Sequence, residues 1–501
     1  MQTLADLLPE LSHTHLAQGH DDARISGIAF DARSVQPGNV YVYAPDLELD
    51  PAYLSIETAL VRGATAFVSH LVPASLPESV AYVHVQDGRI ALAEALYAWH
   101  GHPERALQNV GITGTNGKTT CTFLLRGLWE AAGFRTGVIG TTGNYIGEQY
   151  LETKFSTPES HLLCGLFSEM RDAGVSHCAM EATSHGMAFE RVAAIPFAAT
   201  LFTNLTQDHL DFHGTMQHYA EAKKRLFDRQ PEDSIAVFNG DSPWASFMAR
   251  DCPARVKLTF GRLPSHPYCI REEHFTLEET RFVMDFPDAP GIPFSMGFVG
   301  RFNVENAAGV LAVAHALGLP IPVLQEGLRT AKPAPGRMHI VPVPGCGTVL
   351  VDYAHTPDAL EKALATCRRL LQEAQTGGQL WVVFGCGGDR DPIKRPMMGH
   401  AAVRGADQVV LTSDNPRTED PERILDDIES GISQPDRRRV LRIADRRAAI
   451  HETLAASRPG DVVLIAGKGH EAVQIIGTEE RPFSDLAEVE AFVRDREGDQ
   501  P

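Results

Sequence analysis

The chain has 501 residues, about three times a typical ~150-residue domain, so three domains are the central expectation. A composition of 43% hydrophobic and 22% charged residues excludes a disordered chain. With 45 basic against 64 acidic side chains and a net charge of −19, general attraction to nucleic acid or anionic lipid is excluded, leaving room only for a local cationic pocket.

The opening residues, MQTLADLLPELSHTHLAQGH, lack the basic start and apolar run of a secretory leader, so export is not expected. The longest apolar stretch, 193–202, contains Pro196 and is about half the ~20 residues that a membrane helix needs. Eight cysteines with no Cys-x-x-Cys pair fit reduced thiols in a large core and a cytoplasmic location. The broken polar stretch Trp99-His-Gly-His-Pro-Glu-Arg105 closes a first domain, 1–98. An apolar strand is predicted over 107–112, then a Gly/Thr loop, then a helix from about Lys118. Cys121, Leu124, Leu125, Leu128 and Ala132 form one face of that helix, and Gly133 stops it. Ala331-Lys-Pro-Ala-Pro-Gly-Arg337 divides a central domain, 99–332, from a last one, 333–501. In the last block strands at about 348–352, 380–384, 408–412 and 461–466 alternate with amphipathic helices, the first using Leu360, Ala363, Leu364, Cys367 and Leu371. That alternation predicts an α/β fold with a parallel sheet covered on both faces and ligands beyond the strands' carboxyl ends. The final ten residues are polar and are expected to fray.

Between the first central strand and its helix lies Gly111-Ile-Thr-Gly-Thr-Asn-Gly-Lys-Thr-Thr120. Gly114 and Gly117 let backbone N–H groups crowd round phosphate oxygens, the helix amino end favours anions, Lys118 adds charge and Thr119 a magnesium-facing hydroxyl. Ile112 stands where the strict pattern has glycine, so this is a variant phosphate loop. Its residues Gly114, Thr115, Asn116, Gly117, Lys118, Thr119 and Thr120 are expected to hold ATP.

GITGTNGKTT, EATSH (181–185), NLTQDHLDFHG (204–214), YAEAKKRLF (219–227), FNVENAAG (302–309), PGRM (335–338) and DYAHTPDAL (352–360) occur in the order found in the Mur ligases, which the chain resembles over nearly its whole length. The resemblance implies a three-domain architecture: an amino-terminal UDP-binding domain, a central ATPase-type parallel sheet and a carboxy-terminal Rossmann-like amino-acid-binding domain. It implies ATP-dependent amide formation through an acyl phosphate. Thr119, Glu181 and His209 would hold Mg2+, and Lys223, carbamylated by carbon dioxide, would join them; Lys118, Glu181, His209 and Lys223 make up the catalytic set. On residue type alone Glu181 also suits a surface carboxylate at a strand end, and Lys223 and Lys224 exposed helix cations. His209 and His213, four apart beside Asp208 and Asp211, also suit zinc. The resemblance further places Asn303 and Asn306 near adenine and brings Arg337, Asp352 and His355 from the last domain to the same ATP, with domain closure expected.

Three more loops follow predicted strands: Gly385 to Asp391, Thr412 to Arg417 and Ala466 to Glu471. They should converge on one crevice, where Arg390 and Arg417 suit carboxylates and Glu471 an ammonium. Asp414-Asn415-Pro416-Arg417 is similar to the signature of the family members that add meso-diaminopimelate, and Gly467 joins that set. The function implied is addition of meso-diaminopimelate to UDP-N-acetylmuramoyl-L-alanyl-D-glutamate in peptidoglycan precursor synthesis, by a monomeric protein with no nucleic-acid or membrane partner. The sugar-nucleotide substrate would meet Phe30, Ala32, Ser156, Thr157, Thr183 and Arg191. Here the chain departs from the family: Ala32 and Thr183 replace serines, Phe189 a glutamine, and the 44–53 segment lacks the usual Gly and Asp-Gly. A lysine-adding ligase, a folylpolyglutamate synthase, a phosphate-loop kinase or motor ATPase and a non-catalytic nucleotide-binding regulator are the competing readings. Arg417 speaks against the first, the long amino-terminal domain against the second, the paired carboxy-terminal loops against the third and the intact Lys118, Thr119, Glu181, His209 and Lys223 against the last.

Overall fold

The structure is a computed structural model that describes residues 3–12, 14–45, 54–72, 76–276, 279–341 and 343–498. Most of the divergent 44–53 segment therefore lies outside the described residues. Among the described residues the strands form sheets of five, eleven, six and two.

The five-stranded sheet occupies residues 15–84, with His15–Gln18 antiparallel at one edge and Gly27–Ala29 parallel at the other. Helix Gly88–Trp99, capped by Asp87, buries Ala91, Leu92, Ala95 and Leu96. Its core runs continuously into one face of the next sheet.

The eleven-stranded sheet spans residues 108–296, and Gln108–Thr113 lies within it between His177–Glu181 and Phe197–Phe202, both parallel to it. Buried on both faces, these strands read as nearly continuous apolar runs. The expected parallel sheet forms the middle of this one, and antiparallel strands extend it at both ends. Gly143–Ile146 and Gln149–Leu151 add antiparallel pairs at one end, and Thr280–Asp285 and Ile292–Met296 do so at the other. Tight hairpin connections need no helical crossover, so they extend the sheet beyond the layer that the helices cover. The helix after the phosphate loop runs Lys118–Ala131 and buries Cys121, Leu124, Leu125 and Leu128, and Gly133 follows with φ 83°.

In the six-stranded sheet Thr348–Asp352, Val462–Ala466, Leu380–Phe384, Gln408–Leu411 and Val440–Arg442 run parallel in that spatial order, and His339–Val341 pairs antiparallel at the edge. Separate apolar clusters cover its two faces. Helix Pro357–Ala374, capped by Thr356 with Pro357 in its first turn, buries all five residues of the anticipated face. Of the final ten residues, expected to fray, 492–498 lie in helix Asp485–Gly498, whose Val489 and Phe492 pack against the sheet, and 499–501 lie outside the described residues. Among the described residues all eight cysteines are buried and unpaired, and no helix is long and apolar enough to cross a membrane.

Candidate functional site

The carboxyl end of Gln108–Thr113 opens into a cleft holding about 1210 Å3 of non-protein space. Gly114 (φ 152°) and Gly117 (φ 90°) adopt backbone conformations that favour glycine; a Cβ at 117 would collide with Asn306 Oδ1. Lys118 Nζ donates to the Gly114 and Thr115 carbonyls at 2.9 Å each, folding the loop round its own charge. Thr119 Oγ1 donates to Glu181 Oε1 at 2.9 Å. Glu181, the last residue of its strand, is fully buried and accepts also from Thr141 N at 2.8 Å, with Thr141 Oγ1 3.0 Å from its second oxygen. Thr115 Oγ1 donates to Thr206 O, and Thr120 is buried in the first turn of the helix. Asn303 and Asn306 line the same cleft one helical turn apart and are bonded to each other at 3.2 Å.

The last sheet contributes to this corner directly. Arg337 Nη2 donates to Thr119 Oγ1 at 3.1 Å, and its guanidinium lies 4.6 Å from the Tyr353 ring centroid. Asn116 Nδ2 donates to Asp358 Oδ2 at 2.8 Å, an additional bridge between the two sheets. Asp352 lines the cleft, but both its oxygens are engaged by backbone, accepting from Met338 N at 2.7 Å and Ala354 N at 2.9 Å. Burial raises its carboxyl above the usual range against the pull of Arg337. Asp352 therefore fixes the backbone that carries Arg337, a task that its motif did not disclose. His355 lines the same wall, and burial lowers its ring's proton affinity.

His209 has φ 54° and lies 3.4 Å from Asp208 by Nε2–Oδ2. Burial pushes it down to about 3 despite Asp208, which leaves a neutral ring able to donate a lone pair. Lys223 is buried, not exposed: Nζ donates to Gly114 O at 2.8 Å and lies 4.6 Å from the Tyr219 ring centroid. Burial, then the neighbouring Lys118 charge, drives its pKa well below that of an ordinary lysine. Lys224 instead pairs with Asp228 on the far side, which separates the two adjacent lysines by geometry. Among the described residues no three His, Cys, Asp or Glu side chains are placed to share a metal ion, so the histidines do not make a zinc cage. The buried hydroxyl–carboxylate pair Thr119–Glu181 beside a phosphate loop fits a hard cation that takes its remaining ligands from phosphate and water.

Beyond the carboxyl ends of the last sheet the three other loops meet. A Cβ at Gly387 would stand 3.0 Å from Arg417 Nη1 and 3.6 Å from Arg390 Cγ, so both guanidinium stems flank one backbone position. Arg417 Nη1 donates to Gly388 O at 2.8 Å. Its backbone, at φ 50°, donates to Ile475 O and accepts from Gly477 N, tying it to the hairpin formed by Val473–Ile476 and Glu479–Pro482. Burial and then Arg390 push the Arg417 pKa down, against the opposing pull of Asp414, Glu471 and Asp389. Asn415 Nδ2 donates to Glu471 Oε2 at 2.8 Å, and buried Lys468 donates to Asn415 Oδ1 at 2.9 Å and Glu471 Oε2 at 2.8 Å. Glu471 is thus already partnered within the protein. Asp414 and Pro416 are buried in the same turn, and a Cβ on Gly467 would stand 2.5 Å from Asp414 Oδ2. Lys468 lies inside the Ala466 to Glu471 loop, whose spacing does not single it out.

The sugar-nucleotide candidates are partly structural. Thr157 Oγ1 donates to Glu181 O at 2.8 Å and shares a 2.9 Å contact with Thr183 Oγ1, which caps the short helix Ser184–Ala188. Ser156 Oγ lies 2.7 Å from Thr141 Oγ1 at the cleft wall. Arg191 is buried, donating to Thr157 O at 3.0 Å and Glu159 at 3.2 Å, with its guanidinium 4.8 Å from the Phe155 ring and 5.5 Å from that of Phe189. Phe189, the departure from the family pattern, therefore packs on the arginine. Phe30 joins the first sheet to the second through His161, centroids 4.6 Å apart. Ala32 is fully buried in a core with Tyr41 and Phe67, so only its backbone could meet a ligand.

Comparison with known proteins places residues 112–314 in the Mur ligase middle domain and 336–469 in the Mur ligase glutamate ligase domain. A UDP-N-acetylmuramoyl-L-alanyl-D-glutamate–2,6-diaminopimelate ligase of Chlorobium phaeobacteroides is 41% identical, over 96% of this chain and 95% of its own length. The ligase of that name from Geobacillus thermodenitrificans is 39% identical, over 99% of both. A solved structure of a ligase with the same name superimposes with a TM-score of 0.70 at 31% identity, covering 99% of this chain and 100% of its own. A Mycobacterium tuberculosis folylpolyglutamate synthase, solved with ADP and AMPPCP, shares the fold alone: TM-score 0.61, 19% identity, 75% of this chain and 91% of its own.

Proposed function

This chain belongs to the Mur ligase family, and from that premise we propose that it is the ATP-dependent ligase that joins meso-diaminopimelate to UDP-N-acetylmuramoyl-L-alanyl-D-glutamate, making the tripeptide precursor of peptidoglycan. Near-full-length similarity to ligases of that name supports the reaction. The observation that carries the choice of amino acid is the meeting of Arg390, Arg417 and the Asn415–Glu471 pair beyond one sheet edge. A substrate with a carboxylate and an amine at its far end matches that set; lysine would bring no carboxylate to the guanidinium fork.

The chemistry requires a carboxylate to gain a leaving group. The D-glutamyl carboxylate attacks the γ-phosphorus of ATP, an O–P bond forms, and ADP departs. The amine then attacks the acyl carbon, the C–O bond breaks, inorganic phosphate leaves and one proton is released. The chain's part is alignment and charge. N–H groups from Gly114 to Thr119 face the phosphates, and Lys118 exchanges its carbonyl bonds for phosphate oxygens. Arg337, already in contact with Thr119, brings positive charge from the last domain; the two domains share one nucleotide when closed. Asn303 and Asn306 flank the base.

Thr119, Glu181, His209 and carbamylated Lys223 would hold Mg2+, which when bound neutralises phosphate charge. Burial, which lowers the proton affinity of the Lys223 amine, favours the neutral form that attacks carbon dioxide: an N–C bond forms, one proton leaves, and a carbamate replaces the amine. The domains at 1–98, 99–332 and 333–501 would take the UDP end, ATP and the amino acid respectively, with Phe30, Ser156, Thr157, Thr183 and Arg191 on the path of the sugar nucleotide. The protein is read as cytoplasmic and monomeric.

The test is a panel of amino acids scored by phosphate release with ATP and the muramoyl dipeptide. meso-Diaminopimelate should exceed lysine by at least about a hundredfold in kcat/KM, as expected when a site built for a polar group meets an analogue lacking it. Equal use of lysine would refute the assignment.

A further inference from the structure

Arg446 and Asp485 are both fully buried, on helix Arg446–Ala456 and at the first residue of helix Asp485–Gly498. They form a two-pronged pair, Nε to Oδ1 and Nη2 to Oδ2, each 2.7 Å. The guanidinium's other donors go to two main-chain carbonyls: Nη2 to Ala466 O at 3.0 Å and Nη1 to Ser413 O at 3.3 Å. Those carbonyls immediately precede Gly467 and Asp414, one on each of two amino-acid loops. The strands that feed these loops, Val462–Ala466 and Gln408–Leu411, are not neighbours, because Leu380–Phe384 lies between them. Arg446 therefore reaches across a strand to hold two loop roots. The spacing it holds is narrow: Gly467 has φ 117°, and a Cβ there would stand 2.5 Å from Asp414 Oδ2.

We propose that Arg446 and Asp485 are positioning residues for the incoming amino acid, a buried clamp that fixes the distance between the Asp414–Arg417 turn and the Gly467–Glu471 loop. The proposal rests on the amino-acid-adding function above. As a stabilising device the pair is a poor choice, since the cost of desolvating two charges offsets most of their attraction and an apolar pair would fill the space as well. As a spacer it has what an apolar pair lacks: a rigid planar fork with directed donors left over for the two carbonyls. Asp485 orients the fork and balances its charge; Lys468 ties the same loops by their side chains.

The test uses the full-length protein and three variants: Arg446→Lys, which keeps the charge but loses the fork; Asp485→Asn; and the double variant Arg446→Met/Asp485→Leu, which replaces the pair with apolar volume. KM is measured separately for diaminopimelate, ATP and the muramoyl dipeptide, alongside thermal unfolding. In all three variants KM for diaminopimelate should rise at least about tenfold, in keeping with the cost of misplacing binding groups by a fraction of an ångström, while the other two constants stay within about twofold. The double variant should unfold near the parent's temperature yet retain the defect. A folded variant in which the three constants move together, or in which that for diaminopimelate is unchanged, overturns the clamp. A parent that does not turn over diaminopimelate refutes the function instead, so the two failures are distinct.

Discussion

Removing the Arg417 side chain should dismantle amino-acid selection while leaving nucleotide binding in place. In the free protein the guanidinium donates to Gly388 O and sits against Arg390. A hydrogen bond to a charged group contributes about 1.5–3 kcal/mol, so a bidentate carboxylate contact is worth up to about 6 kcal/mol; partial exposure of Arg417 reduces this to about 2–4 kcal/mol. At about 1.4 kcal/mol per tenfold, Arg417→Ala should lower kcat/KM for meso-diaminopimelate by about 30- to 700-fold. Lysine has no distal carboxylate to lose, so its turnover should hardly change and discrimination should collapse by the same factor. The backbone at 417 is held by Ile475 and Gly477, and alanine tolerates φ 50° no worse than arginine, so the fold should survive. The assay is phosphate release with amino acid varied at saturating ATP, then ATP varied at saturating amino acid. Parallel loss in both series, or undiminished discrimination, would remove Arg417 from amino-acid selection.

Lys223→Ala removes a carboxylate proposed to hold the metal, so activity should fall by at least the roughly 10- to 100-fold that loss of an outer partner costs, and a short carboxylate such as acetate should restore part of it. Parent activity should fall in buffer stripped of carbon dioxide and return with bicarbonate. Gly117→Ala forces a φ of 90° on a residue with a Cβ and drives it into Asn306, so stability should drop by at least about 1–2 kcal/mol in denaturant titration and nucleotide affinity should fall with it. Arg337→Ala removes the contact between the last domain and Thr119; ATP affinity should weaken about 10- to 100-fold by nucleotide titration, with unfolding temperature little changed.

The parts of this molecule that the sequence disclosed are those in which local rules and motif spacing agree. The strand, glycine loop and helix round Gly114–Lys118 obey both, as do the strands that end at Asp352, Phe384, Leu411 and Ala466. Features made by long-range contact were not legible. Nothing in the 39 positions of chain that separate Arg446 from Asp485 announces their pairing. The antiparallel strands at 280–296 carry short mixed patterns whose place depends on the neighbours they meet. Lys223 shows the same limit from the other side: composition makes it an exposed cation, and only the packing of Tyr219 and the phosphate loop buries it.

The most direct measurement of the central idea is a crystal structure with ADP and the tripeptide product bound. Phosphates should lie on Gly114–Thr119 and the distal carboxylate of the added residue within hydrogen-bond distance of Arg417, with the new amide between those two places. A product whose added residue points away from the 385–391, 412–417 and 466–471 loops would contradict it.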